Sequence, residues 1–204
     1  MPRIRKIDPL IIALMVINTV VFLIENTNYD KIVSWGASNY DLIIHEGQFY
    51  RLVTSMFLHG SFIHLLSNMY SLYILSDLLL REFSKVKYLI VYFVSGILGG
   101  FISVCVSHLI GLNTFSIGAS GAIMGLLGAN IVQLIKLKKQ GLVNQSLIVN
   151  LAIVALINIV PIHQGIDYLA HICGMLVGAI TAFLLSDKNN KFKDLIKKTP
   201  FSRR

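Results

Sequence analysis

Charge is scarce in this chain. Of 204 residues, 14% are Asp, Glu, Lys or Arg, where a soluble domain carries about a quarter. The shortage is also uneven. No charged residue lies between Pro9 and Ile24, and none between Tyr88 and Ile135. About 20 apolar residues cross a bilayer as a helix, so the second stretch holds two spans and a turn. This pattern argues against a water-soluble globular domain. Cysteine is nearly absent as well. Cys105 and Cys173 both fall inside apolar runs, so they build no disulfide framework and read as packing residues. No internal repeat, low-complexity linker or composition break divides the chain, and 1–204 reads as one domain. Arg3, Arg5 and Lys6 ahead of the first apolar run give it the look of a signal peptide. It lacks a small-x-small cleavage site and further apolar runs follow, so it reads as a retained helix.

Hydropathy predicts six helices, at roughly 10–24, 62–80, 88–110, 118–135, 142–160 and 168–186. A polar and aromatic connection of half-apolar character, 26–51, separates the first two. A basic tail occupies 187–204. The formal net charge of +8 would suggest nucleic acid on a soluble protein, but its placement points to topology. Arg3, Arg5 and Lys6, then Arg81, Lys85 and Lys87, then Lys136, Lys138 and Lys139, then seven more from Lys188 to Arg204 all fall on one side of a six-span arrangement. The other side holds Lys31 and Arg51. By the positive-inside rule both termini face the cytoplasm. The basic tail reads as a topology determinant and a contact for anionic lipid.

A polar side chain inside a span is costly and calls for a reason. His64 and Asn68 in the second span, Ser120 in the fourth and His171 in the sixth stand out. Counting from each to the next charge at the basic ends puts Ser120, His171 and His64 roughly 24–26 Å above that end at about 1.5 Å per residue. Asn68 lies one turn deeper. Three helices thus place polar groups in one slab of the outer half-membrane. Taken singly, each reads as an interhelical hydrogen bond. Small-residue stripes say which helices approach closely: Gly121, Gly125 and Gly128 in the fourth span, and Gly174 and Gly178, on the face of His171, in the sixth.

Together these residues suffice for acyl transfer. A serine hydroxyl needs a base to take its proton, and a buried histidine is held neutral and able to do so. The oxyanion formed on attack needs donors. His64 and Asn68, four apart, share one helix face, and the N–H of Ser120 at a helix start is a third donor.

At these positions the sequence resembles the rhomboid intramembrane serine proteases. Gly118-Ala119-Ser120-Gly121 is similar to the family's Gly-x-Ser-Gly motif. Ala170-His171-Ile172-Cys173-Gly174 with Gly178 is similar to its Ala-His-x-x-Gly-x-x-x-Gly motif. His64 to Asn68 is similar to its His-x-x-x-Asn motif, and Tyr50-Arg51 to its aromatic-Arg pair. The resemblance spans roughly 48–183. It implies a six-helix all-α membrane bundle with a membrane-associated first loop. It implies a Ser–His dyad without metal or cofactor, acting on single-pass or polytopic membrane proteins, and access controlled by the fifth helix and the loop after it, Pro161 to Asp167. Gly118, Gly121 and Met124 would line the site. Met124 stands where the family often has an aromatic that stacks on the base, which implies looser orientation of His171.

Other polar residues receive plainer readings. Asp167, one turn before His171, caps the sixth helix rather than completing a triad. His59 and His64 lack the acidic partner of a metal site. His45, His108 and His163 belong to loops or the interface, and Asn18 and Asn158 to helix–helix contacts. Two alternatives stay open: a non-catalytic rhomboid-like adaptor that binds membrane-protein clients, and a small transporter, against which the lack of deep charges and of an inverted repeat counts. The compact form without a transit peptide points to a bacterial plasma membrane.

Overall fold

Pro9 sets the start of the first helix: it follows Asp8, whose carboxylate accepts from the Leu10 N–H at 2.9 Å, the arrangement that suits a proline without an N–H. In the computed structural model, residues 7–139, 141, 145–160 and 166–186 are described. They form α1 (Pro9–Glu25), α2 (Tyr29–Gly36), α3 (Tyr40–Ile44), α4 (Arg51–Thr54) with a 3-10 turn at Ser55–Phe57, α5 (Phe62–Leu79), α6 (Lys85–Leu109), α7 (Ser120–Lys139), α8 (Gln145–Ile159) and α9 (Tyr168–Leu185). The tail 187–204, the segment 161–165 with His163, and residues 142–144 of the expected fifth helix lie outside the described residues.

The six expected helices are all present, with shifted ends. Ser84 caps α6 by accepting from the Lys87 N–H, so that helix begins at Lys85, three residues early. α7 begins two residues late, at Ser120, because Gly118 holds φ +126°, outside helical geometry. It then runs on through Lys136, Lys138 and Lys139, cations that suit a helix C-terminus. Three of the helices, α6, α7 and α9, are long and apolar enough to cross a membrane. With 17 and 15 residues, α1 and α8 are short of the usual span. α5 has the length but carries His64, Ser67, Asn68, Ser71, Ser76 and Asp77, which lower its apolarity.

The outer surface is apolar. Ile12, Val16, Val20 and Leu23 of α1, Leu98 and Ile102 of α6, and Leu176, Ile180, Phe183 and Leu184 of α9 are exposed. Continuous apolar faces of this extent belong against lipid rather than water, and the protein is a membrane protein. Inside, Leu72, Leu75 and Leu79 of α5, Tyr88, Val91 and Tyr92 of α6, and Ile123 and Leu126 of α7 are fully buried. They fill the half of the bundle between the polar residues and the lysine-bearing ends.

The connection 26–51 is a set of short helices with its own fastenings. Arg51, 5% exposed, donates through Nη1 to the carbonyls of Ser34 and Ala37, each at 2.9 Å, and through Nε to Gln48. Tyr50 stacks on Trp35. Ser38 and Ser116 exchange two backbone hydrogen bonds, and Asn39 donates to Asn113 and to the Thr114 carbonyl. The first connection is thereby tied to the segment leading into α7.

Candidate active site

Ser120 is the first residue of α7 and is 9% exposed. The approach to it is fixed on two sides. The Gly118 N–H donates to the Ser55 carbonyl at 2.8 Å, and the Ala119 carbonyl accepts from Ile123, closing the first turn of the helix. Gly118 has to be glycine twice over. Its φ is one that other residues avoid, and a Cβ there would lie 2.8 Å from Cε1 and Nε2 of His64. The same point is 3.6 Å from Ser120 Oγ. The imidazole edge of His64 and the hydroxyl of Ser120 therefore face one small space beside Gly118.

α5 supplies the other wall. Ser61 caps it by accepting from the His64 N–H, which puts His64 in the first turn and Asn68 one turn on. Asn68 is 2% exposed, and its Nδ2 has no hydrogen-bond partner within the protein. A buried donor left unpaired costs about 1–3 kcal/mol, so a group brought to this face of α5 would regain it by accepting from Asn68.

α9 brings His171. α7 and α9 meet backbone to backbone, because a Cβ on Gly174 would strike the Gly121 carbonyl, one on Gly178 the Gly125 backbone, and one on Gly128 the Met175 carbonyl. Ala170 also lies against Gly121. The glycine stripes thus do what their spacing suggested. His171, one turn before Gly174 and 6% exposed, stands at the Ser120 end of this contact. Its Nδ1 lies 3.1 Å from the carbonyl oxygen of Asn158 in α8. A carbonyl can only accept, so Nδ1 carries the proton, and in the neutral ring the lone pair is on Nε2. Met124 is buried one turn below Ser120.

The remaining polar residues divide as follows. Asp167 caps α9 through the Ala170 N–H at 2.8 Å. It also accepts from Ser103 of α6 at 2.8 and 2.9 Å and from Ser116 at 2.7 Å. Its carboxylate is thus engaged with the helix end and two hydroxyls. Asn158 joins helices, donating to Ser71 of α5, and the fully buried Asn18 donates to Leu14 of its own helix and lies against Tyr92 of α6. Cys105 and Cys173 are free. His45 pairs with Asp41, and His108 stacks on Tyr40. His59 is fully buried, edge-on to His64 with ring centres 5.0 Å apart. Its backbone N–H donates to Glu25 at 2.9 Å. Glu25, buried at the end of α1, was not singled out by the sequence. An acid at the end of an apolar run is common, and its partner is a backbone group.

Comparison with known proteins identifies the family. A family described as the Rhomboid domain matches residues 46–188. YdcA of Bacillus subtilis (strain 168), provisionally named a rhomboid protease, is 30% identical over 192 residues, covering 91% of this chain and 93% of its own. Rhomboid protease AarA of Providencia stuartii is 28% identical over 201 residues, covering 84% of this chain and 70% of its own. RHOMBOID-like protein 7 of Arabidopsis thaliana is 36% identical over 158 residues, covering 74% of this chain, and the match spans 47% of that longer protein. The all-helical fold, its apolar exterior and these matches have one conclusion: the chain belongs to the rhomboid family.

Proposed function

We propose that this protein is an intramembrane serine endopeptidase that cleaves peptide bonds in or near transmembrane segments of other membrane proteins. Ser120 attacks the scissile carbonyl. His171 Nε2 takes the serine proton and later gives it to the leaving amine. His64, Asn68 and the Ser120 N–H receive the oxyanion at the start of α7, where the helix dipole favours negative charge. Gly118 leaves room for the substrate carbonyl beside His64, Gly121 lets α9 approach, and Met124 lies beneath the nucleophile. The six longest helices, α1 and α5 to α9, all cross the bilayer, in one domain over 1–204. Both termini are cytoplasmic, and the site is toward the opposite face of a bacterial plasma membrane.

The observation that carries this reading is the facing of His64 and Ser120 across Gly118, with the unpaired Asn68 donor on the same helix and His171 Nδ1 3.1 Å from the Asn158 carbonyl. The test is purified protein in liposomes with a single-pass substrate. Wild type is expected to cleave it and to react with a fluorophosphonate at one site. Ser120→Ala and His171→Ala are expected to fold, to lose cleavage, and in the serine variant to lose labelling. Full cleavage by Ser120→Ala rules out this mechanism. A wild type that binds the substrate, neither cleaves nor labels, and behaves as Ser120→Ala does is an adaptor instead.

A further inference from the structure

The bond that decides the proton position on His171 comes from a residue that is itself fastened to a third helix. We propose that Asn158 is a positioning residue for the reaction: its carboxamide pins α8 to Ser71 of α5, and its own carbonyl then holds the His171 proton on Nδ1. The proposal rests on the Ser120–His171 reading above.

Each link is a specific contact. Asn158, 6% exposed, donates through Nδ2 to Ser71 Oγ at 3.1 Å and to the Val154 carbonyl of its own helix at 2.9 Å. Ser71 is fully buried. It follows His64 and Asn68 at the spacing i, i+4, i+7 and so lies on their face of α5. One stripe of α5 therefore carries the oxyanion donors in its upper turns and the anchor for α8 one turn below. From α8 the Asn158 carbonyl reaches His171 Nδ1 at 3.1 Å. The α8 helix, at 15 residues, packs on α5 and α7. Its place beside α5 is what brings that carbonyl within reach of the ring. The carboxylate nearest His171 in sequence, Asp167, is engaged with Ala170, Ser103 and Ser116.

Chemically, the Asn158 carbonyl does for His171 what a carboxylate does in a triad: it selects the tautomer with a lone pair on Nε2. A peptide oxygen does so without adding a charge to the membrane interior. The dependence on Ser71 adds something a triad lacks. The base is correctly protonated when α8 sits against α5, and displacement of α8 releases Nδ1. Access and chemistry are thereby coupled through one residue.

The experiment compares wild type with Ser71→Ala, Ser71→Thr and Asn158→Ala, all in liposomes, with Ser120→Ala as the unreactive control. Three readouts are taken: the rate of fluorophosphonate labelling, kcat and KM for a transmembrane substrate, and the His171 tautomer by nitrogen-15 NMR. Loss of one neutral hydrogen bond predicts a roughly three- to tenfold fall in labelling rate and kcat for Ser71→Ala and Asn158→Ala. KM should be little changed. Ser71→Thr, which keeps the acceptor oxygen, should recover the wild-type rate. Wild-type His171 should carry its proton on Nδ1, and the Ser71→Ala ring should show mixed tautomers. Wild-type protonation at Nε2 overturns the proposal whatever the variants do. So do unchanged labelling and kcat in both Ala variants, or a fall in KM and rise in kcat, the signature of a helix that merely obstructs entry. A wild type that fails to label at Ser120 overturns the dyad itself, a separate result.

Discussion

Gly178 lies two turns from His171, far from any bond-making atom, yet its replacement by alanine is expected to damage catalysis. A Cβ at Gly178 would land on the oxygen, Cα and carbonyl carbon of Gly125. These are backbone atoms, so no side chain can swing aside. Restoring ordinary carbon contact requires α7 and α9 to part by roughly 1 Å. Overfilling a tight contact costs about 1–3 kcal/mol of stability. A 1 Å misplacement of reacting groups costs about 100-fold in rate. Gly178→Ala should therefore lower kcat about 100-fold with a modest loss in thermal stability, read by substrate cleavage and by an unfolding curve in one detergent. Gly100→Ala is the matched control: that position, on α6, has no neighbour within 4 Å, and alanine is the better helix former by about 1 kcal/mol. It should leave kcat unchanged and stability equal or higher. Equal activity in the two variants would refute the reasoning, since it would mean that the separation of α7 and α9 does not set the distance between nucleophile and base.

Three further outcomes follow from single residues. Asn68→Ala removes a buried donor that has no partner in the resting protein. It should lower kcat about 10²- to 10³-fold with an unchanged unfolding midpoint. Asp167→Ala removes a helix cap and two hydroxyl bonds and should destabilise by about 1–3 kcal/mol. A large fall in kcat without loss of stability would instead make it a member of a triad. Gly118→Ala should strain the turn at φ +126° and press on His64, lowering both fluorophosphonate labelling and stability. Unaltered labelling would contradict the placement of His64 beside Ser120.

Much of this arrangement is legible in the amino acids, for physical reasons that can be named. The helices carrying Ser120 and His171 were paired by glycine spacing because backbone approach in a membrane demands small residues in register, and small residues are visible as letters. Helix identity was visible because 48 consecutive residues from Tyr88 to Ile135 without a charge have few physical uses. Other features have no letter. The acceptor for His171 is a backbone carbonyl, which every residue owns, so Asn158 looked like helix glue. The start of α7 depended on the φ of Gly118, and the glycine there was compatible with a helix or a turn. Arg51 was noticed as half of an aromatic-Arg pair, but its fastening of Ser34 and Ala37 depends on chain folding. Ser38 and Ser116, which tie the first connection to the segment leading to Ser120, have nothing in their type to announce a pairing across 78 positions.

The fully buried layer of Leu72, Leu75, Leu79, Tyr88, Val91, Tyr92, Ile123 and Leu126 has an electrical consequence. The proposed hydrolysis needs water at Ser120, and water in a bilayer is ordinarily a path for ions. Here any water that reaches the polar side chains meets a floor of close-packed hydrocarbon and aromatic rings on the side of the lysines. An ion following it would have to shed its hydration where the nearby polar side chains, Ser76 and Asn130, are already hydrogen-bonded, a cost of several kcal/mol for a charge at membrane depth. On the proposed reading, the protein holds an aqueous reaction on one side of that floor while the membrane keeps its voltage.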